Sequence, residues 1–151
     1  MTNKGANLSV DSKKFQEYFR EIMSKYLTGD YTEISLRTPL ENLVRSLNKD
    51  YNLMQEPKRT EKVGAPDFKA YRKSVKVGYI ETKDLNRNLD EEAESEQIEK
   101  YKSGIDNLVL TNYNRFILAR GDRILFDFNL FSLSDLDNPR LHACMKLLTL
   151  P

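Results

Sequence analysis

The segment from Gly64 to Lys83, GAPDFKAYRKSVKVGYIETK, constrains this chain more than any other, because it reads as two strands joined by a tight reversal. If Asp67–Tyr71 and Val77–Lys83 pair as a hairpin turning about Ser74, Asp67 faces Glu81, and directly opposed residues hold their β-carbons about 5 Å apart. Two facing carboxylates repel, so the arrangement costs stability unless something positive sits between them. Lys83 lies two positions past Glu81, hence on the same face and roughly 7 Å along the strand. A divalent cation fits such a place. The apolar neighbours Val75, Val77, Tyr79 and Ile80 imply a strand with apolar content on both faces, where charges are expensive unless they serve a purpose.

The rest of the chain narrows the chemistry. At 151 residues with 39% hydrophobic content, it has enough polypeptide for one domain with a core, and two would be cramped. Twenty-four basic and 23 acidic residues leave a formal charge of +1, which argues against holding nucleic acid by bulk electrostatics and assigns phosphate contacts to local patches. Cys144 and His142 are the only residues of their kinds, which excludes an internal disulfide, leaves no ligand set for a structural zinc site, and weighs against Cys/His nucleophilic catalysis. Both read as packing residues. No apolar run approaches the roughly 20 residues of a membrane span, and the expectation is a cytoplasmic protein without membrane attachment.

Periodicity predicts residues 1–10 as a flexible tail and 11–151 as a single domain. A first helix carries Phe15, Tyr18, Phe19, Ile22, Met23 and Tyr26, starting near Asp11 or Ser12 and ending at Gly29. A second opens at Thr38 with Pro39 at its first helical position and closes near Asn48. A strand at Tyr51–Glu56 and the hairpin come next, then one helix over Leu89–Ser103 whose acidic run reads as a solvated face. Strands follow at Asn107–Leu110, Arg115–Ala119 and Arg123–Phe128, then a helix over Asn138–Leu150. This order gives an α/β or α+β fold, a mixed sheet with helices packed on it.

Asp67, Glu81 and Lys83 supply what metal-assisted phosphodiester hydrolysis needs: hard oxygen ligands and a positive group near the developing charge. The carbonyl of Thr82 is a further candidate oxygen ligand. Lys83 can orient or deprotonate a water, or stabilise the transition state. A plainer reading stands beside this one, with Asp67 a turn residue after Pro66 and Glu81 and Lys83 ordinary edge-strand charges. Glu41 is either a third carboxylate or the partner of Thr38 in a capping box. Gln97 and Tyr101, four apart, share a helix face, either for packing or to present an amide and a phenol. Lys58, Arg59 and Lys62, with Lys69, Arg72, Lys73 and Lys76, flank the hairpin and are candidate phosphate contacts or solubility charges. Asp67→Ala and Lys83→Ala are expected to abolish hydrolysis and leave the fold intact.

Pro66-Asp67 followed by Glu81-Thr82-Lys83 resembles the PD-(D/E)xK nuclease superfamily. Glu41 matches the frequent glutamate on that superfamily's preceding helix, and Gln97 to Tyr101 resembles the QxxxY element of its exonuclease-type branch. TPLENLVRSL, GAPDF, GYIETKDL, SEQIEKYK and NLVLTNY are similar to the amino-terminal nuclease domains of single-chain restriction-modification enzymes of the Type IIG and Type ISP kind, from about Thr38 to Phe128. The resemblance implies a restriction-endonuclease-like central mixed sheet flanked by helices and DNA cleavage dependent on Mg²⁺, with Mn²⁺ as a substitute. It implies Asp67, Glu81, the Thr82 carbonyl and Glu41 at the metal, Lys83 as catalytic lysine, and Gln97 and Tyr101 positioning substrate. It also implies a linked or associated DNA methyltransferase and recognition domain, since neither a methyltransferase motif nor a GxxxxGK loop is present here. On that view the chain is an excised module or a small relative, and cutting both strands asks for a dimer. The alternatives are a non-catalytic DNA- or protein-binding module that keeps the architecture, and a resolvase or repair nuclease of the same superfamily.

Overall fold

In the computed structural model, which describes residues 4–55, 65–104 and 107–130 with side chains from residue 13 onward, the chain forms two compact units. One reaches to Lys49 and the other begins at Asp50. The helical unit holds α1 (Lys4–Thr28), a 3-10 turn (Ile34–Leu36) and α2 (Arg37–Leu47). The apolar stripe of α1 buries Tyr18, Ile22 and Met23, and the helix ends where Gly29 takes φ 68°, as the sequence predicts. Its start, at Lys4, lies ahead of the expected cap at Asp11 or Ser12.

α2 is entered differently from the expectation. The preceding 3-10 turn runs directly into it, its N-cap position is Leu36, and no side chain caps it. Thr38 therefore sits inside the helix, and the Thr38–Glu41 capping box is not what starts α2. Pro39 is accordingly the third residue of α2 and not its first, though within the first turn, where a missing N–H costs nothing.

The second unit is a six-stranded mixed sheet whose strands lie in sequence order: β1 (Tyr51–Gln55), β2 (Phe68–Arg72), β3 (Val75–Thr82), β4 (Leu108–Thr111), β5 (Arg115–Arg120) and β6 (Arg123–Asn129). All neighbours are antiparallel except β3 and β4. A parallel pair needs a crossover. Here it is made by α3 (Leu89–Ala93) and α4 (Glu96–Gly104), which pack Leu89, Ile98 and Tyr101 on Leu108, Leu110 and Ile117. This is the mixed α/β architecture expected, consistent with a restriction-endonuclease-like fold.

The single helix expected over Leu89–Ser103 is two. Asn88 caps the first by accepting from the Asp90 amide at 2.9 Å, and Ser95 Oγ accepts from the Ile98 amide at 3.3 Å, restarting the helix one turn later. Serine competes for backbone hydrogen bonds, so a mid-run serine can break a helix that composition would continue.

Gly78 is required by contact rather than by φ. A β-carbon there would lie 2.9 Å from the Asn107 carbonyl oxygen, which accepts the Tyr79 amide, while Asn107 Nδ2 donates to the Val77 carbonyl at 2.8 Å. This close approach seats β3 against the start of β4 and so fixes where Glu81 and Lys83 fall. The helix expected over Asn138–Leu150, with His142 and Cys144, lies outside the described residues, as do Lys58, Arg59 and Lys62.

Candidate active site

The site forms at the C-terminal end of β3, beside the one parallel pairing of the sheet. The hairpin register Phe68↔Ile80 extends by one step to Asp67 opposite Glu81. The reversal is not centred on Ser74, however: Arg72 pairs with Val75 around a two-residue turn, Lys73–Ser74, with Lys73 at φ 55°. An irregularity opposite Ala70 and Tyr71 adds one residue to β3 and restores the register that opposes the two carboxylates.

The carboxyls differ in setting. Asp67 Oδ2 accepts from both the amide and the hydroxyl of Thr82, each at 2.8 Å. Glu81 is 4% exposed, and its Oε2 has no hydrogen-bond partner among the described residues. Burial, and then Asp67 beside it, push the Glu81 carboxyl up to about 8, against weaker opposing pulls from Lys83 and the Tyr101 hydroxyl. Near neutral pH Glu81 is therefore held as the protonated acid. Tyr101, buried and facing Glu81, has its phenol pushed up to about 12.

A directed series of donors links the rest. Lys83 Nζ donates to Gln97 Oε1 at 3.3 Å, Gln97 Nε2 donates to the Tyr101 hydroxyl at 2.9 Å, and that hydroxyl lies beside Glu81. The crossover helix α4 thus delivers Gln97 and Tyr101 to the strand that carries Glu81 and Lys83, and β2 delivers Asp67. Lys83 is itself fixed by its amide, which donates to the Thr111 carbonyl at 2.8 Å.

No protein-family model matches this sequence, and no curated protein matches it. Among solved structures, the fold is similar to that of a chain in the DrdV–DNA complex determined by electron cryomicroscopy. The TM-score is 0.64 and the sequence identity 18%, with 92% of this chain covered. This chain spans only 14% of the length of that one. At such identity the likeness speaks for the fold.

Of the residues singled out in the sequence, Asp67, Glu81, Thr82, Lys83, Gln97 and Tyr101 are brought together in the second unit. Glu41 lies on α2, in the helical unit. Lys69 pairs with Tyr79 and sits with its ammonium 5.5 Å from the Tyr71 ring, so it shares the face of Glu81. Arg72, an odd number of residues from Lys69 on β2, points to the other face. Lys73 forms the hairpin tip, six residues and roughly 20 Å from Asp67 at the rise of a strand. These three do not form one patch.

Sequence reading missed Glu92. Its Oε2 lies 3.7 Å from Lys83 Nζ and its Oε1 lies 3.4 Å from Arg87. The signal was its three-residue spacing from buried Leu89, which puts one acid of the run on the inward face of α3. The expectation that Asp67→Ala leaves the fold untouched also needs correcting, because it would strip the acceptor from two buried donors of Thr82.

Among the described residues, no group of three or more His, Cys, Asp or Glu is placed to hold a metal ion. Any cation here rests on two carboxylates. That is a usual protein share for Mg²⁺, which keeps several waters and takes substrate phosphate oxygens as further ligands. The partnerless Oε2 of a buried glutamate, beside a second carboxyl, fits such an ion. Among the described residues, no helix is long and apolar enough to cross a membrane.

Proposed function

We propose that this chain is a Mg²⁺-dependent DNA endonuclease module of a restriction system, of the PD-(D/E)xK kind that the Asp67, Glu81 and Lys83 pattern resembles. The observation that carries the reading is Glu81, buried with an oxygen lacking a partner among the described residues and pressed against Asp67. Nothing in folding rewards that pair, whereas a hard cation would. DNA as the partner is supported by the neighbour of like fold, which was determined in complex with DNA. The same proposal has the module working beside methyltransferase and recognition domains, linked or associated, and takes residues 11–151 as one nuclease domain.

In this reading Asp67 and Glu81 hold the ion, with the Thr82 carbonyl as a further oxygen donor. When bound, Mg²⁺, or Mn²⁺ in its place, would make a water more acidic and offset charge on the scissile phosphate. Thr82 fixes the orientation of Asp67 through two hydrogen bonds. Lys83 presents its ammonium to the phosphate, where charge develops in the transition state. Gln97 ties Lys83 to Tyr101, and Tyr101 steadies Glu81. Lys69 extends the site face as a phosphate contact.

The test is cleavage of linear duplex, junction and single-stranded DNA by the purified chain with Mg²⁺, Mn²⁺ or EDTA. Cleavage of duplex that needs the ion and is lost in Lys83→Ala and Asp67→Asn is expected. Cutting confined to junctions would move the assignment to a resolvase. No cutting, together with no heat of Mn²⁺ binding that Asp67→Asn abolishes, would leave a binding module in place of an enzyme.

A further inference from the structure

We infer that Glu92 is the positioning residue for Lys83, holding its ammonium clear of the Asp67–Glu81 pair; the inference rests on the nuclease reading above. Lys83 has a flexible four-carbon stem and lies close enough to Glu81 to be attracted whenever that carboxyl is ionised, the form an ion requires. Left to that attraction, an ammonium would settle between the two carboxyls and take the place a divalent ion needs. Two acceptors pull the other way: Gln97 Oε1 at 3.3 Å and Glu92 Oε2 at 3.7 Å. Of the two, only Glu92 carries a charge that can hold the ammonium against the pull of the Asp67–Glu81 pair.

Glu92 is itself constrained. Its side chain is 17% exposed, it sits on a helix capped by Asn88 and closed by the break before Ser95, and its second oxygen lies 3.4 Å from Arg87. Lys83 is comparably enclosed at 19%. A pair this sheltered loses less to solvent screening than an exposed one. The break between α3 and α4, which composition gave no reason to expect, is what lets Glu92 and Gln97 approach the same ammonium from two helices.

The test is steady-state cleavage of duplex DNA with Mg²⁺ by the full chain, by Glu92→Gln and by Glu91→Gln, which makes the same charge change on the exposed side of α3. Because misplacing a reacting group by about 1 Å can cost on the order of 100-fold, Glu92→Gln should lower kcat about 10- to 100-fold with KM changed less than about threefold. Its melting temperature should stay at the wild-type value, and Glu91→Gln should behave as wild type. An unchanged kcat, a loss confined to KM, a loss that follows a lowered melting temperature, or an equal loss in Glu91→Gln would each overturn the inference while leaving the nuclease reading intact. Wild-type protein that cuts no DNA would overturn both.

Discussion

Replacing Glu81 with glutamine should stabilise the ion-free protein, by an amount that depends on pH in a calculable way. The carboxyl has an ordinary value of 4.5 and is pushed up to about 8 in the folded chain. Below 4.5 it is protonated both folded and unfolded, and contributes no difference. Between 4.5 and 8 the unfolded chain releases the proton while the folded chain keeps it, so stability falls as pH rises. Above 8 both forms are ionised and the penalty stops growing. At 1.36 kcal/mol per pH unit, the loss relative to acid is about 3 kcal/mol at pH 7 and about 5 kcal/mol at pH 9. Glu81→Gln removes the titrating group and keeps the shape. Urea unfolding of both proteins in EDTA, at intervals from pH 4.5 to 9, gives the difference directly, and other groups cancel in the subtraction. A gap that stays constant to within about 1 kcal/mol over that range would show that Glu81 is not held protonated, and the account of the pair would be wrong.

Asp67→Ala should destabilise the chain by about 1–3 kcal/mol through the two donors of Thr82 it leaves unpaired, partly offset by relief of Glu81, whereas Asp67→Asn keeps an acceptor and should cost less; chemical denaturation at pH 6 compares them. Gly78→Ala should lower stability by about 1–3 kcal/mol, since its β-carbon would stand 2.9 Å from a backbone oxygen that is pinned in the sheet; an unchanged denaturation midpoint would refute the close contact. If a divalent ion takes both carboxyls, Glu81 must give up its proton, so Mn²⁺ binding should release roughly 0.9 proton at pH 7 and little at pH 10. Calorimetry in buffers of different ionisation enthalpy measures that number, and zero release at pH 7 would contradict ligation by Glu81.

The opposition of Asp67 and Glu81 was legible because hydrophobic alternation fixes which face a strand residue takes, and a slip by one would bury the wrong set. The route to it was not. Nothing in Val75-Lys76-Val77 marks an extra residue, and the sequence offered no reason to choose a two-residue turn at Lys73–Ser74 over one centred on Ser74. Those two departures cancel by the time the chain reaches Ile80. Strand identities in the second half followed from short apolar runs and turn residues, and the observed β4, β5 and β6 differ from expectation by a residue at most of their ends. The acidic run was read too broadly: composition showed a solvated face, and only the division at Ser95 separates Glu92 from its exposed neighbours. Thr38 misled for a related reason. A threonine three residues before a glutamate makes a capping box only if the helix begins there, and a 3-10 turn upstream moved the start to Arg37.

The place of the site follows from the connectivity. Antiparallel neighbours can be joined by turns, but β3 and β4 run parallel, so the chain must leave the end of β3, cross the sheet and return. That crossover begins directly after Lys83 and carries α3 and α4 back over the same face. The short first crossover helix and the first turn of the second are therefore close to the strand end the chain has just left, which is why Glu92 and Gln97, on different helices, both reach Lys83. The hairpin before β3 brings Asp67 to the same strand end from the other side. The hairpin and the two crossover helices thus converge on three consecutive residues, Glu81, Thr82 and Lys83, and supply Asp67, Glu92, Gln97 and Tyr101 as their partners. A buried carboxyl held near 8 is the energetic mark of that convergence. One substitution to glutamine would remove that cost, and in the nuclease reading proposed above the carboxyl is kept because only its ionised form can hold the ion.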